Sequence, residues 1–135
     1  MPKLLVTYLS TAAVMVLIDL VWLGLIAKPM YQQGIGHLMA EKPNIAAAIG
    51  FYLLFPIGLM IFAILPEAAD RRWQQTAICG ALFGLFAYAT YDLTNLATLK
   101  NYPIKLALID IFWGTLVSAV AATAGKLVFT RFTNN

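Results

Sequence analysis

Four long apolar stretches fill most of this chain and limit what it can fold into. They cover residues 4–27, 44–65, 75–99 and 104–129. A helix needs about 20 residues to cross the hydrocarbon core of a bilayer, and each stretch reaches that length. With 61% hydrophobic and 11% charged residues, the chain is far from the composition of a soluble domain. The sequence predicts an all-α polytopic membrane protein, a four-transmembrane-helix bundle that forms one domain over residues 1–135.

The apolar stretches predict helices rather than the strands of a membrane barrel. Backbone groups in lipid must find partners within the protein, and a helix achieves this within one segment. The alternating pattern of about ten residues that marks barrel strands is absent from the sequence. The first stretch is too long for the apolar core of a signal peptide and contains Asp19, so we expect it to be a retained first helix.

Proline and polar residues mark the breaks between the predicted helices, since proline lacks the N–H group that would continue a helix. The breaks are Lys28-Pro29, Pro43-Asn44, the polar turn from Pro66 to Gln74, and the turn Lys100-Asn101-Tyr102-Pro103. Pro56 differs because it lies in the middle of the second helix. There we expect a kink or a locally opened backbone.

The distribution of lysine and arginine predicts the orientation of the chain. One side carries Lys3, Arg71, Arg72, Lys126 and Arg131, and the other carries Lys28, Lys42, Lys100 and Lys105. Because the side richer in these residues tends to face the cytoplasm, we expect both termini there. The 29–43 loop and the 100–103 turn are then outside, and we call their side of the membrane the far side.

The charged residues and the small residues of the chain indicate which partners it can bind. The net charge of +3 comes from helix ends, not from a basic stripe that could follow phosphates, so nucleic acid is excluded as a partner. Membrane lipid is the expected partner. Gly80-x-x-x-Gly84 and the Ala-rich run from Ser118 to Gly125 favour close helix packing within the chain, and a homodimer is the alternative. The single cysteine, Cys79, is interpreted as a small apolar residue.

Three aspartates, Asp19, Asp92 and Asp110, lie inside predicted spans. Placing a charge there costs at least about 2.5 kcal/mol, so three in a small protein need a reason. They stand eight residues before the end of the first helix, seven before the end of the third and six after the start of the fourth. At about 1.5 Å rise per residue, the three carboxyl groups share one layer about 10 Å below the far-side boundary. The sequence predicts that they meet in one pocket.

Helical spacing gives the residues expected around these carboxyl groups. Residues three, four or seven apart share a helix face, and the polar faces should point inward. The candidate binding residues are Asp19, Trp22, Tyr88, Tyr91, Asp92, Asn95, Asp110 and Trp113, with Phe51 and Tyr52 of the second helix at matching depth. Each Asp–Trp pair is three residues apart, within side-chain reach. We expect an aromatic wall around a carboxyl cluster.

The loop from Tyr31 to His37 is expected to cover the mouth of this pocket. It combines hydrogen-bonding side chains with two glycines, which allow unusual backbone angles. His37, the only histidine, is a further candidate for metal binding or proton transfer. The alternative is a solvated loop histidine without such a role.

The chemistry of the carboxyl layer stays open at this level. Three nearby carboxylates in a low-dielectric site cannot all remain ionised without a cation, so Asp19, Asp92 and Asp110 are candidate ligands of a divalent cation. Alternatively, they accept hydrogen bonds from Trp22, Trp113 or a tyrosine and link the helices. The sequence contains no phosphate-binding glycine loop, zinc-ligand spacing, catalytic-triad motif or cofactor fingerprint, so it indicates no other cofactor and no catalytic residue.

Three sequence segments resemble a known family. Asp19-Leu20-Val21-Trp22, the stretch from Tyr88 to Thr98 that contains Tyr91-Asp92-Leu93-Thr94-Asn95, and Asp110-Ile111-Phe112-Trp113-Gly114 are similar to the bacterial predicted-membrane-protein family called domain of unknown function 2177. The resemblance extends over essentially the whole chain. It implies a bacterial origin and a location in the inner membrane, and it carries no activity or functional residue.

Three functions are compatible with these features. The first is the binding or transport of a proton, a cation or a small polar solute at the carboxyl layer. The second is an enzyme that acts on a lipid or lipid-linked substrate, with an aspartate pair as acid and base. The third is a structural or assembly subunit in which the carboxyl groups only fix the helix register.

Overall fold

The computed structural model describes residues 2–66 and 72–133 of the chain. Within these ranges the helices are α1 (Pro2–Val21), α2 (Lys28–Ile35), α3 (Ile45–Leu59), α4 (Trp73–Thr98) and α5 (Ile104–Thr133). A π-helical turn, Trp22–Ile26, extends α1, and a second, Met60–Ile64, extends α3. A short 3₁₀ turn, Gly36–Leu38, follows α2.

Four helical segments are long and apolar enough to cross a membrane. They are Pro2–Ile26, Ile45–Ile64, Trp73–Thr98 and Ile104–Phe132. The described residues contain no strand, so the predicted all-α fold with four membrane-spanning helices is confirmed. Part of the polar turn expected between Pro66 and Gln74, residues 67–71 with Asp70 and Arg71, lies outside the described residues.

Helix α2 is the main departure from the sequence prediction, which treated residues 29–43 as a loop. Pro29 stands in the first turn of α2, where its fixed φ suits a helix start. Gly34 lies against the start of α5, and a Cβ atom there would be 3.1 Å from Pro103 and 3.3 Å from Leu106. The short helix is therefore held by contacts with α5, which the local sequence does not reveal.

The second membrane span is irregular near Pro56. Helix α3 starts at the cap residue Asn44, whose side-chain oxygen accepts a 3.1 Å hydrogen bond from the N–H of Ala47. It continues through the buried Pro56. The backbone changes to π-helical geometry one turn later, from Met60 to Ile64. Proline removes a helical hydrogen bond, and the wider turn follows it closely.

Small residues bring α4 and α5 together along most of their length. A Cβ atom on Gly80 would lie 2.7 Å from Cβ of Ala122, and one on Gly84 would lie 2.3 Å from the carbonyl oxygen of Gly114. The Gly80-x-x-x-Gly84 motif is thus used within the chain, as the sequence analysis preferred. On the opposite side of α5, Gly125 faces Thr11 of α1 at a similarly short distance.

Helix α5 is the centre of the bundle, with α1 and α4 packed on either side of it. The core contains Met15, Leu59, Ile64, Val117, Ala121 and Ala122. The second span contacts α4 mainly through its last turn, Met60–Ile64, whereas the backbones of α3 and α4 hardly approach each other. The second span is therefore closest to α4 on the side of the termini and diverges from it toward the far side.

Candidate ligand-binding pocket

A pocket of about 750 Å³ occupies the far-side half of the bundle. All five helices contribute to its wall. The lining residues are Asp19, Trp22, Leu23, Lys28, Tyr31, Ile35, Met39, Phe51, Tyr52, Phe55, Ala87, Tyr88, Tyr91, Asp110 and Trp113. Most of the wall is apolar or aromatic, with two carboxyl groups among these side chains. Such a combination is typical of small-molecule sites.

Asp19 lies on the α1 side of the pocket and is 4% exposed. Its Oδ2 accepts a 2.8 Å hydrogen bond from the Tyr52 hydroxyl of α3, and its Oδ1 accepts a 3.0 Å bond from the Trp113 Nε1–H of α5. One buried carboxyl group thus connects three membrane spans.

Asp110 lies on the α5 side and is also buried. Its Oδ1 accepts a 2.5 Å hydrogen bond from the hydroxyl of Tyr31 in α2. Burial, followed by the hydrogen bond to Asp110, raises the pKa of Tyr31 above its usual range. The phenol therefore stays protonated and donates, and it fastens α2 to the pocket.

Asp92 is fully buried but does not line the pocket. Its Oδ1 accepts a 2.9 Å hydrogen bond from the Tyr102 hydroxyl in the far-side turn. Burial, together with this contact to Asp92, raises the pKa of Tyr102, so the phenol remains a donor. The carboxyl group of Asp110 is the neighbour of Asp92 on the pocket side, and Oδ2 of Asp92 has no partner among the described donors. The two carboxyl groups are therefore placed to share a proton.

The aromatic wall is built from ring contacts between helices. Trp22 and Trp113 stack with their ring centroids 4.3 Å apart and their planes 7° from parallel. Phe55 meets Tyr88 edge to face with the centroids 6.1 Å apart. The ring of Tyr88 rests directly on Gly114, where a Cβ atom would lie 2.0 Å from Cγ of the ring. Glycine at this position allows Tyr88 to reach the pocket.

The structure brings together most, but not all, of the residues singled out in the sequence. Asp19, Trp22, Tyr88, Tyr91, Asp110 and Trp113 line the pocket. Asp92 lies behind Asp110, and Asn95 is next to Tyr102. His37 is exposed in the 3₁₀ turn after α2 and is not among the lining residues.

The sequence predicted that the Tyr31–His37 loop covers the mouth of the pocket, but not that helix α2 contributes side chains to the pocket wall. Lys28, Tyr31 and Ile35 all line the pocket and are spaced three and four residues apart. That spacing is typical of one helix face, so it was the signal available in the sequence. Tyr52 was expected only as part of the wall, whereas it also donates to Asp19.

The candidate divalent-cation site is not matched by a ligand group in the described residues. Among the described residues, no group of three or more His, Cys, Asp or Glu side chains is placed to hold a metal ion. Instead, Asp19, Asp92 and Asp110 each accept a hydrogen bond from an aromatic side chain.

The fold and the site define a class: a small four-span membrane protein whose far-side half contains a pocket with buried carboxyl groups. The chain belongs to the family described as Predicted membrane protein (DUF2177), which matches residues 4–127. No curated protein and no solved structure matches the chain. The membership agrees with the resemblance found in the sequence. The bacterial inner membrane and the cytoplasmic termini stay predictions.

Proposed function

We propose that the protein binds a small organic cation, such as an amine or a quaternary ammonium compound, in the far-side pocket. The observation that carries this proposal is the pair of buried carboxyl groups, Asp19 and Asp110, on the wall of an aromatic pocket. A cation is the member of the expected ligand classes that matches both the carboxyl groups and the aromatic rings.

Charge balance is the first argument for a cationic ligand. A carboxylate buried in a membrane protein is expensive unless it is paired. The donors to Asp19 and Asp110 are neutral phenol and indole groups, which supply hydrogen bonds but no positive charge. Among the described lining residues, Lys28 is the only one with a positive charge, and it is exposed outside the first span. A bound ammonium group would compensate the negative charge at the pocket wall.

The aromatic rings are the second argument. An ammonium group within about 6 Å of an aromatic ring gains about 0.5–2 kcal/mol, and tryptophan is the best partner. The stacked pair of Trp22 and Trp113 lies beside Asp19, since Trp113 donates to that carboxyl group. Tyr52 and Tyr88 extend the wall. Carboxyl groups next to several rings favour a cation over a neutral molecule of the same shape.

Binding is the step that the geometry supports directly. Translocation would need a second opening toward the side of the termini. There the buried side chains of Met15, Leu59 and Val117 fill the core between the spans. Transport would therefore require these helices to separate, with the π-helical turn at Met60–Ile64 as the place for a backbone change.

The test compares choline with its neutral carbon isostere, 3,3-dimethyl-1-butanol, on the purified protein in detergent. We expect choline to raise the thermal unfolding temperature and the isostere to leave it unchanged, because a ligand of the folded state stabilises it by mass action. Asp19→Asn should lose the choline effect. Glu41→Gln is the matched control, since it removes a negative charge from an exposed residue outside the pocket. Equal shifts with both compounds, or no shift with choline, would contradict the proposal.

A second candidate is an enzyme acting on a lipid or lipid-linked substrate. The observation that favours it is the adjacent pair of Asp92 and Asp110, in which one carboxyl oxygen lacks a donor unless a proton lies between the two groups. Paired carboxyl groups in different protonation states are suited to acid and base catalysis. The test is mass spectrometry of lipids from membranes that contain either the wild type or Asp110→Asn. A lipid species that depends on Asp110 would support the enzyme, and identical lipid profiles would exclude it.

A further inference from the structure

We infer that the ligand enters the pocket sideways from the bilayer, through the gap between α3 and α4, and that it is a zwitterionic phospholipid whose ammonium group reaches Asp19 and Asp110. This inference rests on the proposed function and specifies its ligand. The chains of the lipid would remain in the gap and in the surrounding bilayer.

The gap results from the way α3 diverges from α4. On the side of the termini, Phe83 of α4 closes the space by packing on Phe55 and Phe62, with ring centroids 5.2 and 5.7 Å apart. Toward the far side, α3 packs on α1 and not on α4. Nearer the termini, the Tyr8 hydroxyl of α1 donates to the carbonyl oxygen of Leu53 at 2.8 Å. Tyr52 strengthens this attachment through its bond to Asp19. The backbones of α3 and α4, which are both fully described, hardly approach each other there.

The residues on either side of the gap belong to the pocket and to the outer surface of the bundle. Phe51 of α3 is 39% exposed and Tyr91 of α4 is 56% exposed, and both line the pocket. Ala87, on the turn of α4 below Tyr91, lines it with a small side chain. These residues lie within helices long and apolar enough to span the membrane, so the part of their exposed surface outside the pocket faces lipid. The pocket is therefore continuous with the bilayer between α3 and α4.

On the far side the pocket is covered rather than open. Tyr31 fastens α2 to Asp110, and Gly34 packs against Pro103 and Leu106. Ile35 and Met39, from α2 and the segment after it, add apolar side chains to the same part of the wall. A ligand that approaches from water must pass this cover, whereas one dissolved in the membrane meets the gap directly.

The charges of the pocket match a phosphate joined to an ammonium group. Lys28 lies at the start of α2, just beyond the end of the first span, and lines the pocket. Asp19 and Asp110 lie deeper, within membrane spans. A phosphate next to Lys28 and an ammonium group near the carboxyl groups would pair both charges, whereas phosphatidylglycerol could pair only with the lysine. The aromatic side chains beside Asp19 favour the ammonium end.

The test measures binding of phosphatidylethanolamine and phosphatidylglycerol with identical chains to the delipidated protein, by native mass spectrometry and thermal unfolding. We expect the wild type to bind phosphatidylethanolamine at least about tenfold more tightly, equivalent to about 1.4 kcal/mol. Ala87→Trp, which fills the gap, should weaken that binding at least about fivefold. Ala97→Trp is the matched control on an exposed residue of α4 outside the pocket.

The outcomes separate this inference from the proposed function. Unchanged phosphatidylethanolamine binding in Ala87→Trp, or equal binding of the two lipids by the wild type, would overturn the inference. If the wild type responds to choline in either case, the proposed function still stands. If choline also fails, both are wrong. Should Ala87→Trp fail to fold, the smaller Ala87→Leu replaces it, with an intermediate loss of phosphatidylethanolamine binding as the expected result.

Discussion

The buried polar side chains of α1 find their hydrogen-bond partners in different ways in the two halves of the bundle. On the side of the termini, the hydroxyls of Thr7 and Thr11 donate to the carbonyl oxygens of Lys3 and Thr7, four residues back in the same helix, at 2.7 and 2.8 Å. On the far side, Tyr52 and Trp113 donate from separate helices to Asp19. The first kind of hydrogen bond stays within one helix, whereas the second connects side chains of α3 and α5 to a carboxyl group of α1.

This difference indicates that the two halves of the bundle have different roles. The half near the termini has glycine, alanine and serine at the α4–α5 contact, so these two helices approach each other closely. The far half has large aromatic residues, buried carboxyl groups and a pocket of about 750 Å³. We interpret the first as the half that stabilises the bundle and the second as the half that binds. Variants in the two halves should therefore affect stability and ligand binding separately.

The largest expected effect is a loss of stability at the close contact between α4 and α5. A Cβ atom on Gly84 would lie 2.3 Å from both the Gly114 carbonyl oxygen and the Ser118 hydroxyl oxygen. Because α4 and α5 must separate to relieve this overlap, we expect Gly84→Ala to destabilise the protein by about 1–3 kcal/mol and Gly84→Leu to prevent folding. Thermal unfolding in detergent and the yield of monodisperse protein measure the effect.

The control for this prediction is Gly50→Ala in α3. A Cβ atom there would have no other heavy atom within 4 Å. Alanine is also the better helix former by about 1 kcal/mol, so the variant should be as stable as the wild type or slightly more stable. If both glycine variants lost stability equally, the close α4–α5 contact would not be the cause, and the contrast between the halves would fail.

The next effect is a loss of binding in the far half with little change in stability. Asp19→Asn keeps an oxygen that can accept from Tyr52 or Trp113 but removes the negative charge. We expect choline affinity to fall at least about tenfold, equivalent to about 1.4 kcal/mol, because the ammonium group loses its partner. Isothermal titration measures the affinity and thermal unfolding measures the stability. Full retention of binding would mean that the carboxyl group only holds helices together, as the structural-subunit alternative states.

A smaller effect is expected at the stacked tryptophans. Trp22→Phe retains an apolar ring but provides a weaker site for a cation, so choline affinity should fall by about two- to tenfold within the cation–π range of about 0.5–2 kcal/mol. Trp73→Phe is the matched control, because Trp73 is exposed at the start of α4 and lies outside the pocket. Titration of both variants with choline shows whether the decrease comes from loss of a contact between choline and Trp22 or from loss of any indole side chain. An equal decrease in both would argue against an aromatic cation site.

The fold was more accessible from the sequence than the details of the site, for physical reasons. The thickness of the bilayer sets the length of each span, so apolar runs were sufficient to locate four helices. Helical rise likewise predicted that Asp19 and Asp110 lie at one depth. The direction of a side chain changes by about 100° per residue, so small rotations decide whether a residue faces a pocket. This explains why Asp92 lies behind Asp110 instead of lining the pocket.

Contacts between distant segments were the other part that the sequence did not reveal. Spacing predicted that Trp22 is within reach of Asp19 and that Trp113 is within reach of Asp110 in the same helix. Instead, Trp113 donates across to Asp19, 94 residues away in the chain. Helix α2 depends similarly on its contacts with Pro103 and Leu106. Such pairings are set by how the helices assemble, which a single sequence does not specify.

The smallest expected effect is at His37, the sequence candidate that the far-side geometry leaves outside the pocket. The residue is exposed in the turn Gly36–Leu38 and does not line the pocket. Surface substitutions of this kind usually change stability by less than about 0.5 kcal/mol. We expect His37→Ala to bind choline and phosphatidylethanolamine like the wild type, at pH 6 and at pH 8. If His37→Ala lost binding at one of the two pH values, the turn after α2 would contribute to binding as well as the pocket wall.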